Sequence, residues 1–67
     1  MKWVADSLNS DRRHFEIRHD PSVGFYLYVF ESGKCIKDHL EDTLDLAFEM
    51  AHEDYDVRRD AWRVIYE

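Results

Sequence analysis

The sequence predicts an α+β domain. The fold is a two-layer sandwich in which one helix packs on one face of an antiparallel sheet of three to four strands, in the order β-β-β-α-β. Three observations carry this prediction. The stretches 14–19 and 25–31 alternate in side-chain character with a period of two. Two clusters of turn formers, Asp20-Pro21-Ser22-Val23-Gly24 and Glu31-Ser32-Gly33-Lys34, bound the second stretch. Beyond Asp38 the period changes: Leu44, Ala47, Phe48, Ala51 and Tyr55 recur at helical spacing.

The elements follow in order. Residues 1–11 show no period long enough to decide, so the segment reads as frayed or as a short helical turn presenting Trp3, Val4 and Leu8. From His14 to His19, Phe15 and Ile17 point one way while His14, Glu16 and Arg18 point the other, as in a half-buried strand. Phe25 to Glu31 is the strongest strand signal: Phe25, Leu27 and Val29 share one face, and Tyr26, Tyr28 and Phe30 share the other. Cys35 to Asp38 reads as a short third strand, so two hairpins make a meander. Asp42 is the expected N-cap, with Asp45 three residues on. The helix is expected to end near Tyr55, with Asp56 in the left-handed conformation and Val57 folding back on the last turn. Arg58 to Ala61 is a connector, and Trp62 to Tyr66 is the final strand.

Sixty-seven residues make a single domain, 1–67. A chain of this length buries only about 60% of its unfolded surface, so its stability is modest unless something staples it. Cys35 is the only cysteine, which excludes an internal disulfide and a Cys-X-X-Cys zinc site. A dense aromatic core or self-association remains, and ten aromatic residues are available. With 45% hydrophobic residues, one proline and two glycines, the chain is no candidate for disorder. No apolar run reaches the roughly 18 residues of a membrane span, and no apolar segment follows Lys2 as in a signal peptide. A lone thiol then favours the cytoplasm.

The stretch from Asp42 to Trp62 carries a D-T-L-x-x-A start and a D-Y-x-V-x-x-x-x-W finish. It resembles a loose group of short uncharacterised bacterial proteins, over about a third of the chain. Such proteins tend to have glycine before the valine, where this chain has Asp56. The resemblance implies a bacterial, cytoplasmic setting and no activity.

The formal net charge is −6, which disfavours nucleic acid and anionic membrane surfaces as partners and suits a basic protein. The charge is uneven. Residues 38–56 hold eight acids and no Lys or Arg, whereas the rest of the chain has nine basic and seven acidic residues. On a helix, Glu41, Asp45, Glu49 and Glu53 form a ladder of like charge, each pair costing roughly 0.2–0.5 kcal/mol. Such a stripe is either a docking surface for a basic partner or a solvated face that pairs locally with arginines such as Arg58 and Arg59. Leu46 and Met50 flank the core stripe and read as a broadened core face.

One helix covers one face of a sheet, so Tyr26, Tyr28 and Phe30 are expected on the other, joined by Ile65. This face reads as a homodimer or partner interface, or as a surface beneath a lid of Trp3, Val4 and Leu8. Its aromatic residues also suit base stacking, a role that the negative net charge disfavours.

Cys35, His39 and Asp42 make an imaginable nucleophile, base and orienter, with no glycine-rich loop to complete an oxyanion hole. The four histidines match no metal-ligand spacing. No catalytic residue, metal site, cofactor or small-molecule substrate is indicated. The function expected is a non-enzymatic protein-interaction module, homodimeric through the aromatic face. The alternative is an inhibitor or immunity-type protein that presents the acidic helix to a basic enzyme.

Overall fold

A computed structural model describes residues 1–7 and 12–66. It contains strands β1 (Lys2–Asp6), β2 (Arg13–Asp20), β3 (Gly24–Glu31) and β4 (Lys34–Glu41), helix α1 (Leu44–Tyr55), a 3-10 turn (Arg59–Ala61) and strand β5 (Arg63–Ile65). The sheet is antiparallel throughout, in the order β4-β3-β2-β1-β5. The α+β class, the meander and the single helix agree with the sequence. The strand count does not: the expected three or four strands are five. The added strand, β1, corrects the reading of residues 1–11, since residues 2–6 are neither frayed nor helical but pair with β2 on one side and β5 on the other. The remainder of that segment, 8–11, lies outside the described residues.

The hairpin turns follow from local chemistry. Between β2 and β3, the Asp20 carboxylate accepts hydrogen bonds from the Ser22 N–H (3.0 Å) and hydroxyl (2.7 Å), closing an Asx turn. Gly24 then takes φ +133°, where a Cβ would come within 2.5 Å of the Glu41 carbonyl oxygen. Between β3 and β4, Ser32 (φ 50°) and Gly33 (φ 85°) both have positive φ, the geometry of a two-residue hairpin whose turn matches the strand twist.

Thr43, not Asp42, caps α1: its hydroxyl accepts from the Leu46 N–H at 3.1 Å. The other end matches expectation. Asp56 adopts the left-handed conformation at φ 58°, its N–H donates to the His52 carbonyl, and the buried Val57 folds back with its N–H on the Ala51 carbonyl. The left-handed position carries aspartate in place of glycine.

The helix connects the two edge strands, β4 and β5, by crossing one face of the sheet. Beneath it Ala5, Phe15, Ile17, Leu27 and Val29 are at most 1% exposed, and Ala47, Phe48, Ala51 and Val57 close the core from above. Aromatic rings bind the layers. Trp3 meets Phe25 at 6.0 Å and Phe48 edge-on at 6.5 Å, while Phe48 meets Trp62 at 5.4 Å. These four rings tie β1, β3, α1 and the segment before β5 together without a disulfide. Trp62 thus ends the connector; the last strand begins at Arg63.

Candidate functional site

Nothing among the described residues covers the second face of the sheet. The strand registers arrange its side chains in three rows. The first runs Leu40, Tyr26, Arg18, Lys2, Ile65. The middle row is Asp38, Tyr28, Glu16, Val4, Arg63, and the third is Cys35, Phe30, His14, Asp6. Tyr26, Tyr28 and Phe30 form a stripe along β3, stacked at 5.8 Å and tilted at 6.5 Å between ring centres. Each is half-buried, and Leu40 beside Tyr26 is 50% exposed. The expected aromatic face and its extension to Ile65 are therefore present. The expected lid is not assembled from Trp3 and Val4: Trp3 lies under the helix, and Val4 is a sheet position on the open face. Leu8, its third member, lies outside the described residues.

Beside the stripe sits a charge network that sequence reasoning did not find. Glu16 is its hub, with Lys2 Nζ at 3.8 Å, His14 Nε2 at 3.3 Å and Arg18 Nε at 3.4 Å. His14 Nδ1 lies 3.0 Å from Asp6 Oδ1, and Arg63 reaches the same carboxylate at 3.9 Å. Partial burial works against ionisation of Glu16, but the His14 contact and the Lys2 and Arg18 charges outweigh it and hold the carboxyl below its ordinary range. Three cations (Lys2, Arg18, Arg63) and three carboxylates (Asp6, Glu16, Asp38) share the face, so it is neutral apart from His14. The surplus of six negative charges lies elsewhere. The signal was the alternation of His14, Glu16 and Arg18, but which of them meets Lys2 and Asp6 depends on the unseen β1–β2 register.

The acidic stripe is divided. Glu41 is the last residue of β4 and not part of the helix, a correction to the four-rung ladder. Asp45 faces the connector, where Arg59 reaches it at 3.5 Å and stacks on the Phe48 ring at 3.7 Å. An open cleft of about 630 Å³ lies here, lined by Asp45, Glu49, His52 and Arg58 to Asp60 around Phe48. Glu41, Glu49 and Glu53 instead line a shallow groove on the other flank, of about 160 Å³, with Leu46, Met50 and Asp54. Leu46 is 42% exposed, so it is groove surface; Met50 packs against the core.

Cys35 and His39 stand on opposite faces of β4: Cys35 is paired with Phe30 and exposed, His39 is paired with Leu27 on the helix side. His39 Nε2 lies 3.0 Å from the Tyr55 hydroxyl. That phenol is pushed up by burial and by Asp54, against the pull of Arg13, so it stays neutral and holds the helix end to the sheet. The imagined nucleophile and base do not meet. Among the described residues no group of three or more His, Cys, Asp or Glu is placed to hold a metal, and no helix is long and apolar enough to cross a membrane.

No protein-family model matches the chain, no curated protein matches it, and no solved structure matches it.

Proposed function

We propose that this domain is a non-enzymatic protein-interaction module that associates with a second copy of itself through the open sheet face. One observation carries the reading. Tyr26, Tyr28, Phe30 and Leu40 form a contiguous apolar stripe on a face that no element covers, flanked by charges already balanced within the face. Burying such a face removes aromatic surface from water without stranding a net charge. The same balance argues against nucleic acid, because Lys2 and Arg18 are both engaged by Glu16 and unavailable for phosphates. Self-association also supplies the burial that a 67-residue chain lacks by itself. The reading puts the domain in a bacterial cytoplasm, where the exposed Cys35 stays reduced.

Light scattering coupled to size exclusion tests it. The expected mass is twice that of the 8.1 kDa chain, returning to a single chain in Tyr28→Glu with an unchanged circular dichroism spectrum. A single-chain mass at every concentration sinks the proposal.

A second reading rests on the groove between β4 and α1. Three carboxylates, Glu41, Glu49 and Glu53, rim the apolar surface of Leu46 and Met50. That combination suits a basic, amphipathic segment of a partner, as an inhibitor or immunity-type protein would present to a cationic enzyme. Reversing Glu41, Glu49 and Glu53 to Lys, with Asp45 as a control already paired to Arg59, should abolish capture of such an enzyme. Retained capture with the same salt dependence would leave the groove a solvated surface.

A further inference from the structure

The three rows of the open face also carry information about how two copies would meet, an inference that rests on the self-association reading above. Two sheets stacked face to face are related by a two-fold axis lying between them, directed either across the strands or along them. The two arrangements bring different residues together.

An axis along the strands preserves the rows and reverses the strand order. It sets β3 over β1 of the second copy. Phe30 then meets Asp6, Tyr28 meets Val4, Tyr26 meets Lys2, and Arg18 meets its own counterpart. Half of the aromatic stripe is buried against charge.

An axis across the strands preserves the strand order and exchanges the first and third rows. It sets β3 over β3: Tyr28 meets its own counterpart and Tyr26 meets Phe30. The charges follow suit. The first row is basic at Lys2 and Arg18, and the third is acidic at Asp6, so Lys2 of each copy faces Asp6 of the other. Arg18 faces His14. Glu16 lies near the axis in both arrangements, held by its own Lys2, His14 and Arg18, and does not discriminate.

We infer that a second copy docks on this face with its two-fold axis across the strands, stacking β3 on β3 and pairing Lys2 with Asp6 at both ends of the interface. The occupant is set by self-complementarity: one operation matches aromatic to aromatic and base to acid. The area is adequate. Five strands about 4.8 Å apart and three rows of residues give on the order of 500 Å² per copy, or 1,000 Å² in all. That meets the lower bound of a specific interface and marks the dimer as reversible.

A mixing experiment tests the orientation. Lys2→Glu and Asp6→Lys are made as separate full-length chains of distinguishable mass. Each alone sets like charges opposite one another at both ends of its homodimer. The mixed dimer sets opposite charges at both ends, while changes inside each chain, at Glu16 or Arg63, are the same in either dimer. Native mass spectrometry of an equimolar mixture should show the mixed dimer in excess of the statistical half, with each homodimer about tenfold weaker or more. Lys2→Gln and Asp6→Asn serve if the charge reversals fail to fold. Their mixed dimer keeps one Lys2–Asp6 contact and their homodimers keep none, so the preference persists at smaller size. A dimeric parent whose variants mix at random overturns this orientation and leaves self-association standing. A monomeric parent overturns both.

Discussion

Leu27 and Tyr28 are neighbours in one strand, yet the first is fully buried and the second is half-exposed. The whole sheet repeats that contrast. On one side a helix covers Phe15, Ile17, Leu27 and Val29, and the chain's folding stability resides there. On the other, similar apolar bulk in Tyr26, Tyr28 and Phe30 is left open beside a balanced set of charges. A sheet made only to fold would carry polar side chains across its open face. The difference teaches that alternation in one strand can serve two purposes, with core residues at odd positions of β3 and contact residues at even ones.

Paired substitutions sharpen this comparison. Leu27→Ala should cost about 2–5 kcal/mol, enough to unfold a small domain, because the cavity lies under the helix. Tyr28→Ala, one residue on, should leave the monomer's thermal unfolding within about 1 kcal/mol of the parent and act on the dimer instead. Equal losses at both positions in chemical denaturation would erase the distinction. Gly24→Ala should follow, at about 1–3 kcal/mol, through its positive φ and the approach to the Glu41 carbonyl.

A smaller effect tests the charge network through pH. Glu16 has its carboxyl lowered from the ordinary 4.5 in the folded chain, so its contribution is present above that value and is lost as pH falls through the folded value. Asp20, lowered by the Ser22 hydrogen bonds, acts in the same direction. Melting temperature should therefore drop on acidification below about pH 4.5, and drop less in Glu16→Gln, which retains only the Asp20 part. An identical acid slope in the variant would remove Glu16 as the hub. The smallest effect belongs to the helix. Glu49→Lys should stabilise α1 by a few tenths of a kcal/mol by relieving its repulsion with Asp45 and Glu53, read as a small rise in denaturation midpoint.

How much of this was legible depends on what each residue reports. The β2–β3–β4 meander and the helix were readable because alternation, turn chemistry and helical spacing are local. The face bearing Tyr26, Tyr28 and Phe30 followed from the period once Leu27 and Val29 were taken as core. β1 was not readable. Trp3, Val4 and Ala5 form a continuous apolar run, because this strand lies inside the sheet with Val4 and Ala5 buried on opposite faces, and five residues hold no period. Missing β1 also hid the network, whose partners Lys2 and Asp6 both lie on it. At the helix start, Asp42 and Thr43 are equally able caps, and only the chain path out of β4 decides between them. The acidic ladder was overread for a similar reason: spacing alone carries Glu41 onto the helix, and the last pair of β4 with β3, Phe25 with Glu41, keeps it in the sheet.

The central claim is that the open aromatic face is where two copies meet. Isotope-filtered nuclear Overhauser spectroscopy on a mixture of labelled and unlabelled chains reads it most directly, since only contacts between copies give signal. Cross-peaks between copies are expected from the ring protons of Tyr26, Tyr28 and Phe30, and not from the acidic groove of α1. Cross-peaks confined to Leu46 and Met50 in that groove, with none from the β3 rings, would contradict the account.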